Sequence, residues 1–115
     1  MASNFRELRA YQLSRALSNE MHAAMEDWSS FDRWSVGIQL LRAVDSIGAN
    51  IAEGCGRWHN PDERRFLHMA RGSLYEAEHW MLRAIDRGLL PDASLGRLSE
   101  LAKPLNGLIR AHGRP

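Results

Sequence analysis

The chain has 115 residues, of which 44% are hydrophobic and 25% are charged, and this composition is typical of a soluble globular protein with one hydrophobic core. The formal net charge of +1 argues against strong attraction of the whole chain to nucleic acid or to a membrane surface. No apolar run approaches the roughly 20 residues of a membrane-spanning helix, and the charged amino terminus lacks the pattern of a secretory signal. The single cysteine, Cys55, cannot form an internal disulfide. We therefore expect a cytoplasmic protein with one domain over residues 1–115.

A first helix is predicted over residues 5–27, where apolar side chains recur at spacings of three and four. Phe5, Leu8 and Tyr11 lie off this stripe, which predicts a second apolar surface that faces another helix or another subunit. The stripe itself consists of Ala10, Leu13, Leu17, Met21, Ala24 and Trp28.

A second helix is predicted over residues 31–54, after a hydroxyl-rich segment in which Ser29 or Ser30 is the candidate N-cap. Gly54 and Gly56 predict a left-handed end to this helix, because glycine adopts that conformation without steric cost. One face of the helix is apolar and carries Leu40, Val44, Ile47 and Ile51.

The third helix has the best-marked start. The run from Asn60 to Glu63, NPDE, places an N-cap asparagine before a proline at the first helical position and a glutamate at the third, which is the pattern of a capping box. The helix is predicted over residues 61–87, with Gly88 as its C-terminal stop. Its apolar stripe is Leu67, Ala70, Leu74, Ala77, Met81 and Ile85.

A fourth helix is predicted over residues 93–111 and begins near Asp92 or Ser94. It contains Pro104, and because proline removes a donor and clashes with the carbonyl four residues earlier, we expect a kink or break there. No strand or hairpin pattern accompanies the four amphipathic segments. Four such helices with short connections predict an all-α fold, an antiparallel up-down four-helix bundle.

Several runs in the first three predicted helices together resemble one protein family. The longest extends from Ser46 to Gly54 and reads SIGANIAEG. On these residues the chain resembles the 23S rRNA intervening-sequence proteins, also called four-helix bundle proteins, over nearly its whole length. The other residues that carry the resemblance are Phe5, Leu8, Tyr11, Gln39, Leu40, Arg42, Ala43, Gly56, Arg57, Phe66, Leu67, Ala70, Gly72, Ser73, Leu74 and Glu76.

This resemblance implies a bundle that assembles as a homopentameric barrel. It also implies kinship with the accessory proteins of diversity-generating retroelements, which bind nucleic acid and a reverse transcriptase. The implied partners are therefore further copies of the chain, RNA or DNA, and a reverse transcriptase, with no membrane and no small-molecule substrate. Those accessory proteins are markedly basic, whereas this chain carries a formal net charge of only +1.

A polar stripe accompanies the apolar stripe of the second helix and allows two interpretations. One is a solvated surface on which Glu53 and Arg57 form an ion pair worth about 0.3–0.5 kcal/mol. The other, favoured because the resemblance centres on these residues, is a partly buried network that fixes the register between helices or subunits. That network predicts that Asn50→Leu or Glu53→Ala disturbs assembly or stability. The stripe and its helix contacts comprise Arg42, Ser46, Asn50, Glu53, Gly54, Gly56, Arg57, Gly72, Ser73 and Glu76.

Gly72 lies inside the third predicted helix, where glycine costs about 1 kcal/mol relative to alanine. Close approach of another helix would compensate for that cost, and we expect such a contact at Gly72. The alternative is a tolerated surface glycine.

Arginines and aromatic residues near the second turn are the candidates for contacts with nucleic acid. Arg83 and Arg87 share a face of the third predicted helix with Arg65. Neighbouring carboxylates dilute this positive charge, so the alternative is an ordinary solvated surface. The candidates are Arg57, Trp58, Arg64, Arg65, Arg83 and Arg87, with His59 as a further residue for base stacking.

An enzyme is the less favoured interpretation. Glu76 and His79 have the spacing found in di-iron carboxylate bundles, but such a site needs a second pair of the same kind. His68 and His79 would lie about 16 Å apart along a helix, too far for one metal ion. Cys55 has no histidine in helical register that would mark it as a nucleophile. We predict no catalytic residue, no metal and no cofactor.

The sequence therefore predicts a non-enzymatic homo-oligomer that acts as a scaffold or accessory factor, with RNA or DNA as candidate partners. The first alternative is a structural homo-oligomer with protein partners only. The second is a small helical ribonuclease or metal enzyme.

Overall fold

The computed structural model describes residues 4–57 and 60–112, which are helical over most of their length and contain no strand. Short 3-10 turns at Phe5–Glu7, Met25–Asp27 and Asp92–Ser94 precede or follow the long helices. The prediction of an all-α four-helix bundle is confirmed. Its helices in the described residues are α1 (Arg9–Ala24), α2 (Ile38–Cys55), α3 (Asn60–Asp86) and α4 (Leu95–His112).

Each long helix packs against the next one in the chain, and α4 closes the bundle by packing on α1. Gly54 at the end of α2 lies against Phe66 near the start of α3, while Ser46 earlier in α2 meets Ser73 later in α3. This order of contacts makes α2 and α3 antiparallel. The bundle is elongated and measures 47 by 19 by 19 Å.

The predicted apolar stripes form the hydrophobic core. Burial of a large aliphatic side chain stabilises the fold by about 1.5–3 kcal/mol, so the four helices hold together chiefly through these faces. The off-stripe surface at the start of α1 faces α2, since the ring of Tyr11 lies beside Gly48. The largest fully buried side chains are Leu40, Ile47, Ile51, Met81, Leu101, Leu105, Val36 and Val44.

The first helix begins later than its apolar pattern predicts. Asn4 accepts a hydrogen bond from the backbone N–H of Arg6 at 3.0 Å, which supports the 3-10 turn Phe5–Glu7. Leu8 is then extended, with φ −71° and ψ 132°. An asparagine that bonds its own backbone two residues on competes with helix formation, and α1 therefore starts only at Arg9.

The approach to α2 contains a feature that the sequence did not predict. Ser29 is the N-cap, and its hydroxyl accepts a hydrogen bond from the backbone N–H of Asp32 at 3.1 Å. A helical turn at Ser30–Asp32 then continues into a π-helix at Arg33–Gly37 before α2 begins. A π-helix has a wider turn than an α-helix, so the apolar periodicity of α2 does not extend back across it.

Glycine ends one of the two helices that we expected it to end. Gly88 has φ 73°, and the backbone N–H groups of Gly88 and Leu89 donate to Ile85 O and Ala84 O at 3.0 and 2.9 Å, which is a Schellman motif. The left-handed end predicted for α2 is wrong. Gly56 has φ −79° and ψ −4°, and Gly88 is the only described residue with positive φ.

The predictions made for Pro61 and Pro104 compare differently with the structure. α3 starts at Asn60, one residue before Pro61, and the side chain of this predicted N-cap lies outside the described residues. Of the kink or break expected at Pro104, the break is wrong, because α4 runs from Leu95 to His112 without interruption, and the kink stays a prediction. Leu101 and Leu105 on either side of this proline are fully buried, and their packing offsets the lost hydrogen bond.

Candidate functional site

Three residues of the predicted polar stripe meet between α2 and α3. The hydroxyl oxygens of Ser46 and Ser73 are 2.9 Å apart. The amide nitrogen of Asn50 donates to the Ser46 carbonyl at 2.9 Å and to the Ser46 hydroxyl at 3.2 Å. All three residues are half-buried, so this polar cluster links α2 to α3 and favours one register of the two helices.

The rest of the stripe does not join the polar cluster. Arg42 is exposed. Glu53 and Arg57 form a half-exposed ion pair at 2.7 Å, which matches the solvated interpretation. Glu76 is exposed and accepts a hydrogen bond from the indole N–H of Trp80 at 3.3 Å. Within one chain these residues lie outside the contact between the two helices, and a role for them between subunits stays a prediction.

The glycines of the predicted helix contacts fall into two groups. A Cβ added at Gly54 would lie 3.2 Å from both Glu63 O and Phe66 Cβ, so α3 approaches α2 closely there. A Cβ at Gly72 would meet none of the described residues within 4 Å. The expected close approach of another helix is therefore not found among the described residues of the same chain, where Gly72 lies on an open helix surface.

Two arginines gather around one aromatic ring at the turn between α2 and α3. The guanidinium carbons of Arg57 and Arg65 each lie 4.7 Å from the ring centroid of Phe66, a cation–π distance. The Nε of Arg57 is buried and has no hydrogen-bond partner among the described residues. Arg65 also contacts Asp62 at 3.4 Å. These residues form the basic cluster of the described structure, while the predicted stacking residues Trp58 and His59 lie outside the described residues.

The other arginine candidates do not converge on this cluster. Eighteen helical residues separate Arg65 from Arg83, which corresponds to about 27 Å along α3. Arg83 forms an ion pair with Asp86 at 2.9 Å, and Arg87 is exposed. Arg64 is exposed near the start of α3 and has interactions of its own. One copy of the chain therefore presents these arginines at two distant places.

A model of the 23S rRNA-intervening sequence protein family matches residues 6–111. The chain belongs to this family. The resemblance seen in the sequence is confirmed, and the match extends across all four long helices. A search of curated proteins gives no match.

This 23S rRNA-intervening sequence protein exposes large apolar side chains that the sequence analysis did not single out. Phe31 is 81% exposed and Trp34 74%. Phe31 lies in the helical turn Ser30–Asp32, and Trp34 lies in the π-helix Arg33–Gly37 that follows it. The further exposed large apolar residues in the described part of the chain all lie on α3 and are Met69 (45%), Tyr75 (63%) and Leu82 (41%).

Trp34 lies beside the first apolar residues of α2, and Phe31 precedes it by three residues. Together with Ile38 and Leu41 they have spacings of three, four and three residues, and we call these four residues the aromatic seam. Trp34, Ile38 and Leu41 line a groove of about 470 Å³. The spacing alone does not predict this groove, because the π-helix Arg33–Gly37 interrupts the regular helical period. The groove is also lined by His22, Met25, Glu26 and Arg33.

The surroundings of Cys55 disfavour the reactive form of its thiol. Burial, and secondly the charge of Glu63, raise the pKa of the Cys55 thiol above its ordinary value, which disfavours the reactive thiolate. The carboxylate of Glu63 also lies 3.2 Å from His112 Nε2 and links the start of α3 to the end of α4. Among residues 4–57 and 60–112, no three His, Cys, Asp or Glu side chains form a group that could hold a metal ion. None of the helices described combines the length and the hydropathy that crossing a membrane requires.

Proposed function

We propose that this protein is a non-enzymatic homo-oligomer, a pentamer as the family resemblance implies, that acts as a scaffold or accessory factor. The observation that supports self-association most directly is the exposure of Phe31 and Trp34. Soluble monomers rarely present contiguous large apolar surface unless it is used for binding. The free, half-buried thiol of Cys55 fits a reducing compartment such as the cytoplasm.

The distribution of charge also favours assembly through apolar contacts. Three candidate nucleic-acid arginines have carboxylate partners, namely Arg57, Arg65 and Arg83, at distances of 2.7, 3.4 and 2.9 Å. Each pair neutralises a charge that would otherwise attract phosphate. The surface near these arginines is therefore less basic than the arginine count suggests.

The oligomeric mass tests this proposal. Sedimentation equilibrium or light scattering between about 1 and 100 µM should give a mass near 65 kDa, which is about five times the 13.1 kDa of one chain. Another stable multiple would support the scaffold but overturn the pentamer. A mass of one chain at every concentration would overturn the homo-oligomer itself.

The basic cluster supports a second candidate function, which is contact with RNA or DNA. Arg57 and Arg65 lie on the same side of the turn, around Phe66, and an assembled ring would repeat this cluster around its axis. Repetition would multiply the phosphate contacts that one copy offers. Arginine planes stacked on an aromatic ring also resemble the surfaces on which single-stranded bases stack.

A binding titration separates the two candidates. Labelled structured RNA and duplex DNA should bind the oligomer with an affinity that falls steeply with salt, and the variant Arg57→Gln with Arg65→Gln should reduce that slope. Arg97→Gln is the matched control, because Arg97 pairs with Glu20 on a different part of the bundle. Absence of binding at low salt would refute the nucleic-acid candidate and leave a structural oligomer with protein partners only.

A further inference from the structure

We propose that the aromatic seam of one copy docks on the outer face of α3 of the next copy. This outer face is the line His68, Gly72, Tyr75, His79 and Leu82, which recurs every three or four residues along α3. The inference rests on the proposed homo-oligomer and names the surfaces that form its interface.

The symmetry of a pentamer requires two different surfaces at each contact. A ring with an odd number of copies is built from heterologous contacts, in which one patch meets another patch elsewhere on the neighbour. The seam must therefore meet a surface other than itself. Outside Phe31 and Trp34, every exposed large apolar side chain among the described residues lies on α3. Tyr75 and Leu82 are seven residues apart, which places them on one face of that helix.

Gly72 has no side chain and therefore leaves a gap in this face, which we call the notch. It is exposed, it lies one turn before Tyr75, and a Cβ there would meet nothing within 4 Å of the same chain. A glycine inside a helix costs about 1 kcal/mol relative to alanine, and no contact within the chain compensates for this. A large ring such as that of Trp34, seated between Tyr75 and His68 of the next copy, would occupy the notch.

Each of the two surfaces carries charges of both signs. The groove at the seam is lined by Glu26 and Arg33. A hollow beside Tyr75 is lined by Arg71 and Glu78. Each surface thus offers one carboxylate and one guanidinium to the other, which suits a partner with balanced charge better than a polyanion.

The bundle is large enough for a side-by-side contact between two copies. One long side measures 47 by 19 Å, or roughly 900 Å² of projected area. A stable protein–protein contact buries about 800 Å² on each partner. Two bundles laid side by side therefore have enough surface for a stable contact.

Charged substitutions on the two surfaces test the inference. Trp34→Glu and Tyr75→Glu should each weaken association at least about 30-fold, which is the scale of an interface hot spot. Met69→Glu is the matched control, since Met69 is exposed on α3 but lies about a third of a turn away from Tyr75. Equal oligomeric masses for wild type, Trp34→Glu and Tyr75→Glu would overturn the inference. It would also be overturned if the Met69→Glu control dissociated as much as Trp34→Glu and Tyr75→Glu.

Mixing the two variants gives a sharper readout. The Trp34→Glu chain keeps an intact α3 face and the Tyr75→Glu chain keeps an intact seam, so a mixture can form one good contact and should give a complex of two chains. Each variant alone should be monomeric. A mixture that stays monomeric would show that these surfaces do not meet each other.

The variant Gly72→Gln tests whether Gly72 contacts the next copy or is simply exposed to solvent. In the Trp34→Glu background the substitution should raise the melting temperature, because it improves helix propensity where the side chain has space. In the otherwise wild-type chain it should weaken association at least 10-fold by filling the notch. Unchanged association would overturn the role of Gly72.

The wild-type mass separates failure of this inference from failure of the proposed function. A monomeric wild type refutes both the homo-oligomer and the interface. An oligomeric wild type whose Trp34→Glu and Tyr75→Glu variants remain assembled refutes only the interface.

Discussion

Gly48 marks a close approach of α1 to α2, and its replacement by alanine should destabilise the bundle. The added methyl would lie 2.9 Å from the hydroxyl oxygen of Ser14 and 3.4 Å from a ring carbon of Tyr11. Ser14 is 2% exposed, and its hydroxyl donates to Tyr11 O at 2.8 Å. The hydroxyl would have to rotate away from this carbonyl to make room.

The expected magnitude follows from three opposing terms. Helix propensity alone favours alanine by about 1 kcal/mol. A buried hydroxyl that loses its partner costs about 1–3 kcal/mol, and crowding of a packed interior costs about 1–3 kcal/mol. We therefore expect Gly48→Ala to lower the free energy of unfolding by about 1–5 kcal/mol. For a chain of this size that corresponds to roughly 4 °C in melting temperature per kcal/mol.

Urea unfolding followed by far-UV circular dichroism, at one fixed protein concentration, measures this loss. Gly107→Ala is the control, because its nearest neighbour would be Arg110 Nη2 at 3.9 Å, and it should gain up to about 1 kcal/mol. Adding Ser14→Ala to Gly48→Ala should restore stability at least to the wild-type value. Equal stability of Gly48→Ala and Gly107→Ala, or no rescue by Ser14→Ala, would refute the reasoning.

Three further predictions concern single residues. Asn50→Leu should lower the free energy of unfolding by about 1–2 kcal/mol, because it removes both hydrogen bonds to Ser46; urea unfolding checks this, and an unchanged midpoint would contradict it. Gly88→Ala should cost about 1–2 kcal/mol, since φ is 73° at this position; an unaltered melting temperature would count against a strained left-handed residue. Cys55 should react with iodoacetamide at pH 8 more slowly than in the urea-unfolded chain, because its raised pKa reduces the thiolate fraction. Glu63→Gln should speed this labelling by lowering the pKa, and a slower rate would refute the electrostatic contribution.

The polar cluster shows how far the sequence predicts a site. Ser46 and Asn50 lie one turn apart on a helix face, so their contact with each other was predictable from spacing. Their partner Ser73 belongs to another helix, and only the packing of α3 on α2 brings it to 2.9 Å from Ser46. The exposure of Trp34 was not predictable in the same way, because the π-helix at Arg33–Gly37 separates it from the regular periodicity of α2.

The sequence by itself determined the features that depend on neighbours a few residues away. The apolar stripes recur with the helical period, Ser29 caps its helix through the backbone of Asp32, and Gly88 ends α3 through bonds to the preceding turn. Periodicity, capping and the left-handed stop all operate within one helix or its last turn.

Only the tertiary structure decided which glycines are crowded and which apolar residues stay exposed. Gly54 lies against α3 while Gly72 lies in open space, although both were expected to support helix contacts. Phe31 remains on the surface although its residue type favours burial. Crowding and exposure depend on which segments, far apart in the sequence, pack together in the fold. A local sequence pattern does not specify those long-range contacts.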